Sequence, residues 1–375
     1  MLAGHFGAGP ARSGTEPSGR DPSGDCPRTW RVPAGPDCEV WTWSSGRKCD
    51  FSSRAGPLRT RIGFRFVRLA LMIEGQEGVT WDDWVALASA CEEHGVEALF
   101  RSDHYISWFD ESRHVLDAWA TLAGLAARTT RLELGTLVSP ATFRHPSVLA
   151  RSAATVDEIS GGRVTLGLGA GWQGREHEAY GFEFGTARDR VARFGEQLEI
   201  VHGLLHEERV TFEGAHYKLV DAPGLGRPEL NLLVGGSAKP GTAVPAARFA
   251  DEYNTLFGSL EEIRERKHAL DDACERASRD PTTLRRSLMA PIVVGRDDRE
   301  LQESARRVGA LFGRDPKDVL EREGRHGPVG TVDQVVERLK AMEEIGYERV
   351  MLQHLAHQDL DTVALIGREL APAVV

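Results

Sequence analysis

From residue 68 onward the chain alternates between two rhythms of apolar and polar positions. The run RLALMIE over 68–74 reads as a buried strand. Residues 80–94 then repeat apolar positions at helical spacing, with Thr80 as N-cap, Asp83 three residues on as its capping-box partner, and Gly95 as the stop. The same alternation predicts strands over 96–101, 132–138 and 164–168, and helices over 116–127 and 146–159. A long helix over 187–206 lines up Val191, Phe194, Leu198, Val201 and Leu205 on one face. Residues 210–219 read as a hairpin turning at Glu213 and Gly214. Strands over 230–234, 252–257, 288–294 and 349–353 follow, with helices over 242–250, 260–277, 299–312, 332–345 and 362–370. Eight strand–helix units in roughly 300 residues predict an α/β fold closed as a (β/α)8 TIM-like barrel, with an open doubly wound sheet as the rival.

The first sixty residues follow neither rhythm. They hold 7 Pro, 9 Gly and 7 Ser among scattered charges, too little apolar surface to offset the entropy of ordering. Residues 1–66 are therefore expected to be disordered, or an over-extended reading frame ahead of a start near Val67, leaving 67–375 as the catalytic domain. Cys26, Cys38 and Cys49 stand there without the paired spacing of a zinc site, and five cysteines in all do not make a disulfide scaffold. With 46 Lys+Arg against 56 Asp+Glu, the net charge of −10 argues against nucleic acid as a partner. No stretch approaches the ~18 apolar residues of a membrane span. These features predict a cytoplasmic protein acting on a small molecule, with no metal and no membrane partner.

A barrel gathers its chemistry at the C-terminal ends of its strands. Those ends deliver Glu74, Asp103-His104, Gly169-Ala170-Gly171-Trp172, Gly235-Gly236-Ser237, Tyr253-Asn254 and Gln353-His354 to one rim. Asp103 beside His104 pairs a carboxylate with an imidazole that can exchange a proton near neutral pH, and Glu74 is a second acid/base candidate. Gly169 to Gly174 matches G-x-G-x-x-G, but no second strand follows soon enough for a dinucleotide unit. Gly235-Gly236-Ser237 before a helix suits either a phosphate or a capped tight turn, with Lys239 and Arg248 near enough to add charge. His202 and His206 lack the glutamate and third ligand of a zinc helix. Cys91 and Cys274, inside helical stretches, read as packed thiols.

Several segments together resemble the bacterial luciferase-like monooxygenase superfamily, and within it the coenzyme F420-dependent oxidoreductases. They are FRSDHY at 100–105, RLELGTLVSPATFRHP at 131–146, DEISGGR at 157–163, GLGAGW at 167–172 and VGGSAKPGTAVPAARFADEYNT at 234–255. The resemblance covers nearly all of 68–370. It implies a TIM-like barrel with insertions near the C-terminal rim and a deazaflavin or flavin over the barrel mouth. It also implies a non-proline cis peptide in the third strand, here Leu137 and Val138, propping the ring. Asp103 and His104 match positions beside that ring, Gly169, Gly171 and Trp172 the loop along its side chain, and Gly235, Gly236 and Ser237 a phosphate cradle. The expected reaction is hydride transfer between coenzyme F420 and an organic substrate, with His104 as proton donor or acceptor and Asp103 either orienting it or meeting the ring. The alternatives are an FMN-dependent monooxygenase, for which Arg175 would supply a phosphate contact, and a non-catalytic deazaflavin carrier. A homodimer is compatible with the superfamily, but no residue pattern marks an interface.

Overall fold

The structure is a computed structural model that describes residues 67–374; the expectations for residues 1–66 lie outside the described residues. Eight parallel strands form the wall: β1 (Arg68–Ile73), β2 (Ala98–Arg101), β3 (Glu133–Thr136), β4 (Val164–Gly169), β5 (Asn231–Gly235), β6 (Glu252–Leu256), β7 (Arg285–Pro291) and β8 (Arg349–Gln353). Each pairs with its chain neighbour, and β1 pairs with β8, so the sheet closes. This is the expected barrel. The doubly wound alternative, which would leave two sheet edges open, is excluded.

Alternate residues of each strand feed two cores. Leu69, Leu71 and Ile73 pack outward against the helices, whereas Ala70 and Met72 point into the barrel with Phe100, Leu233 and Met351. That division follows from the two-residue period of a strand whose both faces are covered. At the N-terminal end the interior turns polar: Arg349 donates to both oxygens of Glu133 at 2.8 and 2.9 Å. The opposite end carries the site.

Helices α1 (Trp81–His94), α2 (Ala118–Ala126), α3 (Pro146–Ser160) and α4 (Ala187–His206) follow the first four strands. Helices α5 (Pro240–Phe249), α6 (Leu260–Arg276), α7 (Val332–Ile345) and α8 (Leu360–Leu365) follow the rest. Thr80 and Asp83 do form a reciprocal capping box. The hairpin is Arg209–Glu213 against Lys218–Pro223, its tip fastened by the Glu196 carboxylate accepting from the Ala215, His216 and Tyr217 amides.

Three details depart from the sequence pattern. The third strand stops at Thr136 rather than Val138, because the chain bulges and only Ser139–Pro140 rejoins β4. The run over 288–294 divides: β7 ends at Pro291, and Val293–Gly295 pairs with Val329–Thr331 in a separate small sheet. Between those two short strands sit helices Asp298–Phe312 and Pro316–His326, the second carrying no clear apolar stripe in the sequence. Together with the short helix Gly174–Tyr180, they are β-to-α insertions and so rise on the C-terminal rim.

Candidate active site

The strand ends enclose a cavity of about 450 Å³, walled in turn by Glu74, His104, Val138, Trp172, Ser237 and Asn254 among others. Its shape beside β3 is set by the Leu137–Val138 peptide, which is cis. The bulge drives the Val138 side chain between β4 and β5. A Cβ on Gly169 would lie 2.6 Å from Val138 Cγ2, and one on Gly235 2.9 Å from Val138 Cγ1. Both positions are glycine because the bulge takes the space a side chain needs. Gly169 does not line the cavity, so its expected place along a ligand gives way to a packing role. Gly171, Trp172, Gly235, Gly236, Ser237, Leu137 and Val138 all do line it.

His104 enters from the end of β2, and its partner is not the one expected. Its Nδ1 lies 2.8 Å from Glu176 Oε1, and the other Glu176 oxygen accepts the Tyr105 amide at 2.9 Å. Glu176 is buried on the short helix Gly174–Tyr180. An ionised carboxylate can only accept, so the Nδ1 proton belongs to this bond and Nε2 is left without a partner among the described residues. Burial opposes charging of the imidazole; the Glu176 hydrogen bond and charge, helped by Glu74 and Asp103, outweigh it and raise the pKa. Trp108 and Trp172 stand edge-on to the ring at 5.8 and 5.9 Å between centroids.

Asp103 is a correction. Its carboxylate is buried behind the wall, accepting from Ser139 Oγ and Arg144 Nη1, each at 2.6 Å. Arg144 also reaches Asp117 at 2.7 Å. Asp103 therefore ties β2 to the loop after β3, and it neither orients His104 by a hydrogen bond nor lines the cavity.

Glu74 faces the cavity as expected. One oxygen accepts from Gln353 Nε2 and the other from Gln76 Nε2 at 3.0 Å. A second cavity of about 160 Å³ shares Glu74 and runs past Trp108, Phe312 and Gln353, a volume of about five waters. His354 borders it with Nε2 bonded to the Asp359 carbonyl at 3.0 Å. Burial pushes the His354 pKa down to about 4, against the pull of Asp359, so its ring is neutral.

At the far side of the mouth, the Tyr253 hydroxyl accepts the Ala238 amide at 3.0 Å and shares a 2.7 Å bond with Thr242 Oγ1. It thereby fixes the turn from Gly235 to Lys239. Lys239 is exposed at the start of α5, and Arg248 lies over the Phe249 ring, so neither charge reaches the cavity. Arg175 pairs with Glu111 at 3.4 Å and donates to the Ser107 carbonyl, also away from it. The guanidinium that does line the cavity is Arg266, on α6. Cys91 and Cys274 are buried free thiols, and burial pushes Cys91 up to about 12. Among the described residues no three His, Cys, Asp or Glu side chains converge as metal ligands, and no helix is long and apolar enough to cross a membrane.

Sequence reasoning missed Glu176 and Arg266. Glu176 lies 72 residues from its partner and carries no spacing signal. Only a carboxylate four residues past Trp172, on the rim side of β4, hinted that it could face the mouth.

The luciferase-like monooxygenase family profile matches residues 64–349. An F420-dependent glucose-6-phosphate dehydrogenase of Microbacterium testaceum is 30% identical over 306 residues, covering 75% of this chain and 90% of that one. Among solved structures, an F420-dependent secondary alcohol dehydrogenase in complex with an F420–acetone adduct aligns with TM-score 0.69 at 20% identity, over 83% of this chain and 99% of that one. The FMN-bound oxygenating constituent of 3,6-diketocamphane monooxygenase from Pseudomonas putida aligns with TM-score 0.64 at 17% identity, over 83% and 99%. Both structural likenesses speak to the fold, whereas the family profile and the sequence relative cover most of the chain. The chain belongs to the luciferase-like monooxygenase family and is an oxidoreductase.

Proposed function

We propose that the chain uses coenzyme F420 to transfer a hydride to or from a small organic substrate, with His104 handling the accompanying proton. The observation that carries this reading is the His104–Glu176 pair, which leaves Nε2 open in a cavity floored by the Val138 bulge. The residues present suit a flat ring: the bulge and Trp172 offer apolar surface, and Gly171, Gly235 and Gly236 let backbone approach closely. The choice of F420 over FMN draws on the relative at 30% identity, which is named for F420.

When bound, a deazaflavin supplies a hydride donor or acceptor at its central ring carbon. The chain's own residues would do the rest. His104 Nε2 donates a proton to a substrate oxygen as a carbonyl is reduced, or takes it as an alcohol is oxidised. Glu176 holds the ring of His104 in one tautomer and stabilises its charged form. Glu74 closes the side facing the smaller cavity, where a substrate would sit next to the reacting ring. Trp108 and Trp172, 5.1 Å apart between centroids, narrow the opening and limit water.

The test is His104→Ala, assayed anaerobically by F420 absorbance against a panel of alcohols, aldehydes and sugar phosphates. F420 affinity should stay within about 3-fold of the parent while turnover falls about 10²–10⁴-fold, the usual worth of a general acid or base. Undiminished turnover in the variant refutes the assignment to His104. A parent that binds F420 but turns over nothing on the panel supports a carrier instead.

A further inference from the structure

Of the charged side chains around the main cavity, His104, Glu74 and Glu176 gather where β1, β2 and β4 end. The one permanent cation among the described residues that line it, Arg266, stands on the opposite wall. Its place can be fixed through the sheet. Gly235 at the end of β5 pairs with Asn254 of β6, and Thr255 and Leu256 are the next two residues up. Arg266 Nη1 donates to the Leu256 carbonyl and lies 3.5 Å from Thr255 Oγ1. The guanidinium therefore sits at the end of β6, the strand beside β5, and lines the same cavity as the Gly235-Gly236-Ser237 turn. It is half-buried, and no carboxylate pairs with it among the described residues.

A guanidinium held by its own backbone, with no counter-ion among the described residues, on the wall of a cavity that also carries a glycine turn, is a pre-oriented anion receptor. We infer that Arg266 binds the anionic tail of the cofactor, the phosphodiester that follows the ribityl chain of F420, leaving the ring free for the His104 side of the mouth. This rests on the F420 reading above. Position decides between cofactor and substrate as the source of the anion. β6 and β2 are four strands apart around a barrel of eight, so an anion at Arg266 is as far from the proton-transfer end as the mouth permits. The remaining oxygens of the tail would meet the Ser237 hydroxyl, which lines the same wall. Lys239 and Arg248, the cations nearest in sequence to that turn, point elsewhere, so Arg266 is the group that makes the turn selective for an anion.

The experiment compares two ligands that share one ring. Full-length parent, R266Q and R266K are titrated by fluorescence with F420 and with its tail-less precursor, the deazaflavin carrying only the ribityl chain. R266Q should bind F420 at least 10-fold more weakly and bind the tail-less compound as the parent does. R266K should recover part of the loss. Raising salt should weaken F420 binding to the parent more steeply than to R266Q, because screening acts on the lost charge pair. Equal F420 affinity in parent and R266Q overturns the inference. So does an equal loss for both ligands, which would make Arg266 a support for the cavity wall rather than a receptor for the tail. A parent that binds neither compound overturns the F420 reading itself, and the inference with it.

Discussion

Replacing Glu176 by glutamine removes the charge that holds His104 ready. The amide oxygen can still accept the Tyr105 N–H, now 2.9 Å from Glu176 Oε2, but the NH2 then faces Nδ1 across the 2.8 Å gap and cannot accept its proton. What is lost is the negative charge together with the acceptor for the Nδ1 proton. A hydrogen bond to a charged group contributes about 1.5–3 kcal/mol, against about 1 for a neutral pair. The difference, about 0.5–2 kcal/mol, corresponds to about 2–30-fold in the population of imidazolium. Burial, already the largest influence on His104, is then opposed only by the charges of Glu74 and Asp103. The His104 pKa should fall. In the reducing direction activity needs the protonated ring and declines as pH rises through its pKa; in the oxidising direction it needs the neutral ring and declines as pH falls. In both directions E176Q moves the limb toward acid, and reduction near neutral pH slows by up to about 30-fold. Because a raised histidine pKa stabilises the fold fully below the unfolded value and less as pH rises through the folded one, the stability gap between parent and E176Q should also narrow with rising pH. Steady-state pH profiles followed by F420 absorbance, with denaturant melts at several pH values, make the comparison. A limb that does not move, with F420 affinity intact, refutes the role given to Glu176.

Other substitutions test the supporting structure. Gly169→Ala sets a methyl 2.6 Å from Val138 Cγ2; it should cost about 1–3 kcal/mol of stability by overpacking and weaken F420 binding, and adding Val138→Ala should recover most of both, read by thermal melts and titration as a double-mutant cycle. Asp103→Asn breaks a buried ion pair with Arg144 and should lower stability by about 3–5 kcal/mol, measured by urea unfolding, while moving the pH limb toward acid by less than E176Q does, because the Asp103 charge is a smaller influence on His104 than Glu176 is. His354, held neutral with its pKa near 4, should make stability fall as pH drops from about 6.5 toward 4, because only the unfolded chain takes up the proton there; H354Q should flatten that part of the urea-unfolding profile.

The barrel was legible because each strand–helix unit carries its own local signals. Thr80 with Asp83 starts a helix and Gly95 ends it, and the apolar run from Arg68 reports a strand buried on both faces. The bulge was legible only through the resemblance, since nothing in LELGTLVSP breaks the strand period. The lining of the site was legible where a residue's place at a strand end sets its position, as with His104, Glu74 and Ser237. It was misread where partners are chosen by distant chain segments. Asp103 stands beside His104 in sequence, yet its carboxylate goes to Arg144, 41 residues on, while His104 takes Glu176, 72 residues on. Consecutive residues leaving a strand point to opposite sides, so Asp103 and His104 could not easily share one proton. Arg266 was hidden for a related reason: a cation inside a charged helix looks like a solvated face until its contacts with the end of β6 bring it to the cavity wall.

The most direct test of the central claim is a titration of the full-length protein with coenzyme F420 and with FMN under identical conditions, followed by fluorescence quenching. The account predicts tight binding of F420 and binding of FMN at least ten times weaker. The reverse preference would contradict it and make the chain an oxygen-using flavin enzyme of the same family.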